Sequence, residues 1–467
     1  MPFSSLIFLF LFFSITMFAY AYVGSIQKRN KVLIASSLIF YFFGSPMYVP
    51  VLVISAGIAW FAGKIIYDKK NFNRTFMVSL GIIAEIFIFV VFKYFNTMLS
   101  SDAYIGKYLI PIGISFYILR LISYMIDVYR KEVEPSHHFM DILLYSSIFH
   151  LSIVSPIVRF EEFSLSIYKR KTEIPKIGQG INRFTIGLFK VAVLASACDS
   201  IARQTFPMDM TMFAKIPALG LWLGAIAFMV QIYMTFSGYT DMAIGMGKMI
   251  GFNYKENFEY PYMAVSVNEF CCKWYMTLSA FIRDYLYLPI KGKQENSVRK
   301  IFAWVISAVC IAFWIGRNWN GMGLVIFYMI LLYLEKIYIN NKLESFSMSV
   351  RHLYTLFVIY IGWIIFKFSD IGALALMLRG MIGLNGNGLI NFDLIHITIT
   401  QLLLLIGACI GCTPVIKSLY ERIQLKSKKQ KILVYLRRVI EIAGPVVLTI
   451  VSAIALMSGD YTMFLYF

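Results

Sequence analysis

Apolar runs of membrane length recur along this chain with short basic stretches between them, and that alternation decides what it can fold into. Residues 3–23, 47–67, 75–97, 217–236 and 434–457 are runs of this kind. A bilayer's hydrocarbon core, about 30 Å thick, takes about 20 helical residues to cross. Inside it every backbone N–H and C=O must be satisfied within the protein. The expected fold class is therefore an all-α polytopic membrane protein. A chain that is 59% hydrophobic and only 15% charged is too apolar for a soluble protein of several domains. Its net charge of +18 comes from Lys and Arg gathered in short loops between apolar runs. That is the positive-inside pattern, and it excludes nucleic acid as the reason for the charge. No linker, low-complexity tract or internal repeat divides the chain, so residues 1–467 are expected to form a single domain.

Residues 3–23 have no basic residue before them and are followed by Lys28, Arg29 and Lys31, as in a retained first span that starts outside rather than a signal peptide. Residues 32–44 and 47–67 make a hairpin through Gly44, Ser45 and Pro46, returning to a basic cytoplasmic loop at 68–74. Residues 75–97 lead out and 107–126 back in. The run 142–158 carries His150, Ser152, Ser155 and Pro156 between flanks of cytoplasmic character, which suits a re-entrant element better than a crossing. Residues 180–202, with Lys190 and Asp199, read as amphipathic or buried in protein. Residues 217–236, 301–316, 321–339, 352–368, 394–412 and 434–457 complete a count of roughly ten to twelve membrane elements. The basic stretch KSLYERIQLKSKKQK before the last of these is cytoplasmic.

From Tyr233 to Ile290 the character changes: Asp241, Lys248, Glu269, Lys273, Arg283 and Asp284 interrupt an otherwise apolar chain. Ionisable groups near a bilayer centre are costly and mark a functional site. A helix over Val265–Leu288 would place Tyr275, Ser279 and Arg283 on one face and Cys271, Trp274, Leu278, Phe281 and Tyr285 on an apolar one. In FSGYTDMAIGMG the small residues Gly238, Ala243, Gly245 and Gly247 permit close helix approach, with Asp241 buried among them. Arg283 and Asp284 are adjacent, so they should point to different sides of a helix and not pair.

The segments SGYTDMAIGMGKMIGF, ENFEYPY and KWYMTLSAFIRDYLYLPI occur in this order, after FSSLIFLFLF, FYFFGSPMYVPVLVIS and LIPIGISFYILRLISYMIDVYR. Together they resemble the membrane-bound O-acyltransferases, specifically the alginate O-acetyltransferase branch, whose relatives D-alanylate teichoic acids. The resemblance implies a helical bundle around a central polar tunnel, lined here by Ser237, Asp241, Trp274, Tyr275, Ser279, Arg283, Trp314 and Ile315. It implies a multi-pass protein of the cell membrane that transfers an acyl group, usually acetyl, to an exported polysaccharide. The donor would be acetyl-CoA or an acyl-carrier thioester, with no bound cofactor. The implied partners are the lipid bilayer and periplasmic or extracellular polysaccharide-modifying proteins, and not nucleic acid.

An alcohol is a poor nucleophile at neutral pH, so a base must take its proton as the ester forms. The resemblance implies two histidines, one after the Trp of a KW-x-x-S-L-S-like motif and one in a G-L-W-H-G-like motif. Those positions hold Tyr275 and Ile315. Isoleucine has no lone pair to offer, and burial raises a tyrosine that already titrates near 10. Two further departures accompany these: Arg120 stands where relatives usually have Gln, and Phe149–Ile157 replaces an F-P-Q-L-x-x-G-P-I-like re-entrant motif.

The candidates for a substitute base are His150, Asp241 and Asp284, each also readable as a structural group with a partner elsewhere. His137 and His138 read as a solvated loop pair, His352 as interfacial and His396 as a satisfied polar group in the bundle. Cys409 and Cys412 form a CxxC with no second pair and no nearby His, and the six cysteines read as reduced, small apolar residues; no metal site is expected. Two functions stay open. One is a protein of cell-surface polysaccharide O-acetylation whose histidine-based transfer is lost and which serves as scaffold or acyl conduit. The other is an active O-acetyltransferase using a different base. A transporter or channel shares the polar core but leaves the ordered motifs unexplained.

Overall fold

The computed structural model describes residues 2–68, 73–95, 111–213, 215–292, 297–316, 319–339, 345–368, 370–427 and 431–458. Among them the chain is helical and contains no strand. Nine of the described helices are long and apolar enough to cross a membrane, and two shorter apolar ones, Ile7–Tyr22 and Ile371–Met381, accompany them. The outward side chains are those of a protein solvated by lipid: Leu403 is 84% exposed, and Phe18, Ile442 and Met457 are similarly bare. The chain is a multi-pass membrane protein.

It divides into two compact units, residues 1–184 with 239–255 and residues 185–238 with 256–467. In the first, helices Ile26–Gly44 and Val49–Tyr67 form the expected hairpin, turned by non-helical Ser45 and by Pro46 at the start of a short 3-10 segment. The first of these helices begins before residue 32 because the Ser25 hydroxyl accepts the backbone N–H of Lys28 and caps it. Helix Arg74–Val90 follows and leads into Val91–Phe95; part of the expected 107–126 crossing lies outside the described residues, and its helix is Ile114–Arg130. No continuous helix crosses over 142–158. Helix Phe139–Ser147 stops, a 3-10 turn Phe149–Leu151 follows, and the chain runs on in irregular, buried backbone. Phe149 of this turn seats against Phe8, Phe12 and Phe40, with ring centroids 5.4 to 6.3 Å away.

In the second unit, helices Ser297–Ile315, Trp319–Leu334 and Met348–Lys367 run one after another. The segment expected to be amphipathic or buried in protein, 180–202, lies within a single helical stretch, 174–205, which is apolar enough to cross and largely buried in protein. Helix Ala218–Met249 is equally long and more deeply buried. The glycines of FSGYTDMAIGMG explain how these two come so close. A Cβ on Gly245 would lie 2.7 Å from the Gly180 carbonyl and 2.7 Å from the Phe184 nitrogen. A Cβ on Gly238 would lie 2.8 Å from the Gly187 carbonyl. Backbone meets backbone at both levels, which any larger residue forbids.

Candidate functional site

The expected continuous helix over Val265–Leu288 is corrected by the structure. It is broken into helices Val267–Lys273 and Met276–Ile282, a π-helical turn Arg283–Tyr287 and a last turn Leu288–Lys291. The break falls at Trp274, which is extended, and Tyr275, which adopts the left-handed conformation at φ 49°. A non-glycine residue held there costs about 1–2 kcal/mol, so something must impose it. Asn257, fully buried, does so: its side-chain oxygen accepts the backbone N–H of Thr277 (3.3 Å) and the Thr277 hydroxyl (2.7 Å), and its carbonyl accepts the N–H of Met276 (2.8 Å). Tyr275 therefore does not share a helical face with Ser279 and Arg283. It is buried against Phe258 and Trp314, while the side chains of Ser279 and Arg283 are exposed.

Trp274 occupies the centre of an aromatic cluster with Phe258, Phe270 and Trp363 at centroid distances of 5.1, 5.8 and 5.0 Å. Ahead of it, helix Val267–Lys273 is clamped at its start by Glu335. The two Glu335 carboxylate oxygens accept the N–H groups of Val267 (2.8 Å) and Asn268 (3.2 Å), a carboxylate at the positive end of a helix. At the other end Lys273 pairs with Glu269 at 2.8 Å. Burial raises the Glu269 carboxyl, but Lys273, the Val265 N–H and the Arg351 charge outweigh it and hold it below the usual carboxylate range.

Tyr275 and Ile315 occupy the two positions singled out for a base. Burial pushes the Tyr275 hydroxyl well above the tyrosine range, only partly offset by the Asn257 side chain. Ile315 is half-buried at the end of helix Ser297–Ile315, beside buried Trp314. Of the other residues expected around a tunnel, Ser237 accepts a hydrogen bond from Lys190 (2.9 Å) and Asp241 is gripped by Arg183 through Nε (3.1 Å) and Nη2 (2.9 Å). Asp241 is thus partly buried and ion-paired, rather than merely enclosed by small residues. The expectation that Arg283 and Asp284 would not pair is also corrected. Arg283 Nε lies 2.7 Å from Asp284 Oδ1, because the long Arg side chain folds back along the π-helical turn.

His150 lies in the buried turn Phe149–Leu151, outside the candidate spans, and its Nε2 is 2.7 Å from the Tyr254 hydroxyl. Burial first, then the charges of Arg120 and Arg170, push its pKa down to about 3. Two cavities open within the second unit. An apolar one of about 420 Å³ is lined by residues such as Trp222, Met229, Leu356 and Tyr360. A polar one of about 750 Å³ is lined by residues including Asn268, Lys300, Glu335 and Arg351. Neither is lined by any of the eight residues expected around a tunnel. Among the described residues no three His, Cys, Asp or Glu side chains cluster as metal ligands.

Sequence reasoning passed over Asn257, Glu335 and Arg183. Arg183 and Lys190 stand seven residues apart on one helix, a spacing that puts two cations on one face of an apolar segment and marks it for buried partners. Asn257 lies in ENFEYPY, but its role depends on a turn that no local pattern announces.

The profile of the membrane-bound O-acyltransferase family matches residues 4–378. A probable alginate O-acetylase of Pseudomonas syringae pv. tomato is 33% identical over 396 residues, covering 79% of this chain and 73% of the relative. A peptidoglycan O-acetyltransferase of Helicobacter pylori is 28% identical over 431 residues, 82% of this chain and 80% of the relative. A teichoic acid D-alanyltransferase of Bacillus subtilis is 28% identical over 184 residues, 38% of this chain and 45% of the relative.

Proposed function

The chain belongs to the membrane-bound O-acyltransferase family, and from that premise we propose that it serves the O-acetylation of an exported cell-surface polysaccharide without the usual histidine-based transfer. In this reading it lies in the cell membrane as a scaffold or acyl conduit beside extracellular polymer-modifying proteins. Any acyl donor it meets is a thioester such as acetyl-CoA or an acylated carrier.

The observation that carries this reading is the state of Tyr275. The side chain is buried and locked by the Asn257 turn, and its hydroxyl is raised away from any pH at which it could accept a proton. Ile315, at the second position, has no atom that can take one. The substitutes are no better placed. His150 is pushed down to about 3, and Asp241 and Asp284 are each held by a guanidinium, which favours the carboxylate and weakens it as a base. These environments count against the alternative of an active transferase with a relocated base.

The test is acetyl transfer by the purified protein from a labelled thioester to polysaccharide. The expected result is no transfer above background, and robust turnover by the wild-type chain sinks the proposal. The double variant Tyr275→His with Ile315→His should gain measurable transfer if only the base is missing. A general base contributes about 10²–10⁴-fold, so even a partial gain stands clear of background.

A further inference from the structure

We propose that Arg120, Arg170 and the His150–Tyr254 pair, inside the first compact unit, form a binding site for a small oxyanion of the phosphate or carboxylate class. Arg120 is 1% exposed and Arg170 is 9% exposed, yet neither has a carboxylate partner among the described residues. Arg120 spends Nη1 and Nη2 on the carbonyls of Tyr145 (2.7 Å) and Ser146 (2.9 Å). Arg170 donates from Nε to the Tyr20 hydroxyl (2.9 Å) and from Nη1 to Asn30 Oδ1 (2.5 Å), and its guanidinium lies over the Phe252 ring. All these acceptors are neutral, so two positive charges are buried without a compensating negative one. Proteins do not leave buried charges in that state: they pair them.

The groups are neighbours. The His150 ring lies 5.6 Å from the Tyr254 ring and 6.1 Å from the Phe252 ring that carries Arg170. The charges of both arginines act on His150 and on Tyr254, and no carboxylate acts on either. Each member also keeps one buried polar atom without a hydrogen-bond partner among the described residues: Arg120 Nε, Arg170 Nη2 and His150 Nδ1. When the Tyr254 hydroxyl donates to His150 Nε2, the neutral ring carries its proton on Nδ1. The three spare atoms are then all donors. Three N–H groups with two guanidinium charges match an oxyanion, which offers several acceptor lone pairs and the missing negative charge. The near-complete burial favours a free anion over the head of a larger ligand. The assignment stands apart from the acyl-transfer reading, since none of these residues supplies the base missing at Tyr275 and Ile315.

The test uses the full chain purified in detergent, with its unfolding temperature followed against inorganic phosphate and against acetate. Ionic strength is held constant with a bulky sulfonate salt. The wild type should show a saturable rise with at least one of the two anions. Arg120→Gln should weaken that response about tenfold or more, the scale for losing one charged hydrogen bond. His150→Asn, a milder change, serves if Arg120→Gln does not fold, and should also weaken the response. A parallel arm compares vesicles of phosphatidylcholine with and without phosphatidylglycerol: stabilisation by the anionic lipid alone assigns the site to a headgroup phosphate. An unfolding temperature indifferent to phosphate, acetate and anionic lipid overturns the proposal, as does an identical response in the variants.

Discussion

Burial sets what His150 can do before any neighbour is counted. Its folded pKa of about 3 lies below the unfolded value near 6.5, so as pH falls the unfolded chain takes up the proton first. The sign follows: stability is intact above about pH 6.5 and drains by about 1.4 kcal/mol per pH unit below it, until the folded pKa is reached. In buffer free of small oxyanions, the wild type should lose about 2 kcal/mol near pH 5 relative to neutral pH through this group alone. His150→Asn should flatten that part of the profile, and thermal unfolding of the two proteins across this range reads the difference. Equal slopes would mean the imidazole is solvated. That His150 sat on a re-entrant element rather than a crossing was legible in the sequence, because the run 142–158 carried polar residues between two flanks of cytoplasmic character. Its coupling to Tyr254 was not, since 104 residues separate them.

Helix breaks and helix contacts differ in how far local sequence announces them. FSGYTDMAIGMG declared its purpose, because glycine at close spacing in an apolar segment has few uses other than close packing. Gly245→Leu should cost about 1–3 kcal/mol, since the atoms in its way are the Gly180 carbonyl and the Phe184 backbone, which cannot step aside. Gly57→Ala is the control: nothing lies within 4 Å of a Cβ there, so the change should be neutral or stabilise by up to about 1 kcal/mol. Unfolding temperatures in detergent that fall equally for both would refute the close-contact reading. The turn at Trp274 and Tyr275 left no such trace. No Gly or Pro sits in it, and its φ of 49° is imposed by Asn257 from another segment, so tertiary hydrogen bonds overrode a helical pattern. The π-helical turns were equally hidden. Four of the five among the described residues, Val91–Phe95, Lys190–Ala195, Arg283–Tyr287 and Glu335–Ile339, contain a charged residue: Lys93, Lys190, Arg283 with Asp284, and Glu335 with Lys336; the fifth, Ile7–Phe13, contains none. An extra residue per turn swings a side chain off the regular face, and Lys190 and Glu335 use it to reach Ser237 and the Val267 backbone.

Across the whole molecule, the fold class was the most legible property, because membrane-length apolar helices leave little else possible once backbone groups must be satisfied without water. The same alternation makes a prediction about sidedness within the second unit. Helices Met348–Lys367 and Phe392–Gly411 are successive candidate spans. The segment between them, 368–391, holds only Asp370 and Arg379 among charged residues, whereas 412–430 holds Lys417, Arg422, Lys426, Lys428 and Lys429 against a single Glu421. Basic excess in short loops marks the cytoplasmic side, so residue 422 should face the cytoplasm and residue 384 the opposite side. Leu384 and Arg422 are both exposed, so each can be replaced by Cys in a chain whose six native cysteines are changed to Ser or Ala. In right-side-out vesicles a membrane-impermeant maleimide should label Leu384→Cys and spare Arg422→Cys, and inverted vesicles should reverse the pattern. Labelling of both from one side would mean that helix Phe392–Gly411 does not cross, and the count of nine candidate spans would then exceed the true number of crossings. The reversed pattern would instead keep every crossing and place the polymer-facing surface at the basic loops, where an acyl donor from the cytoplasm could not reach them.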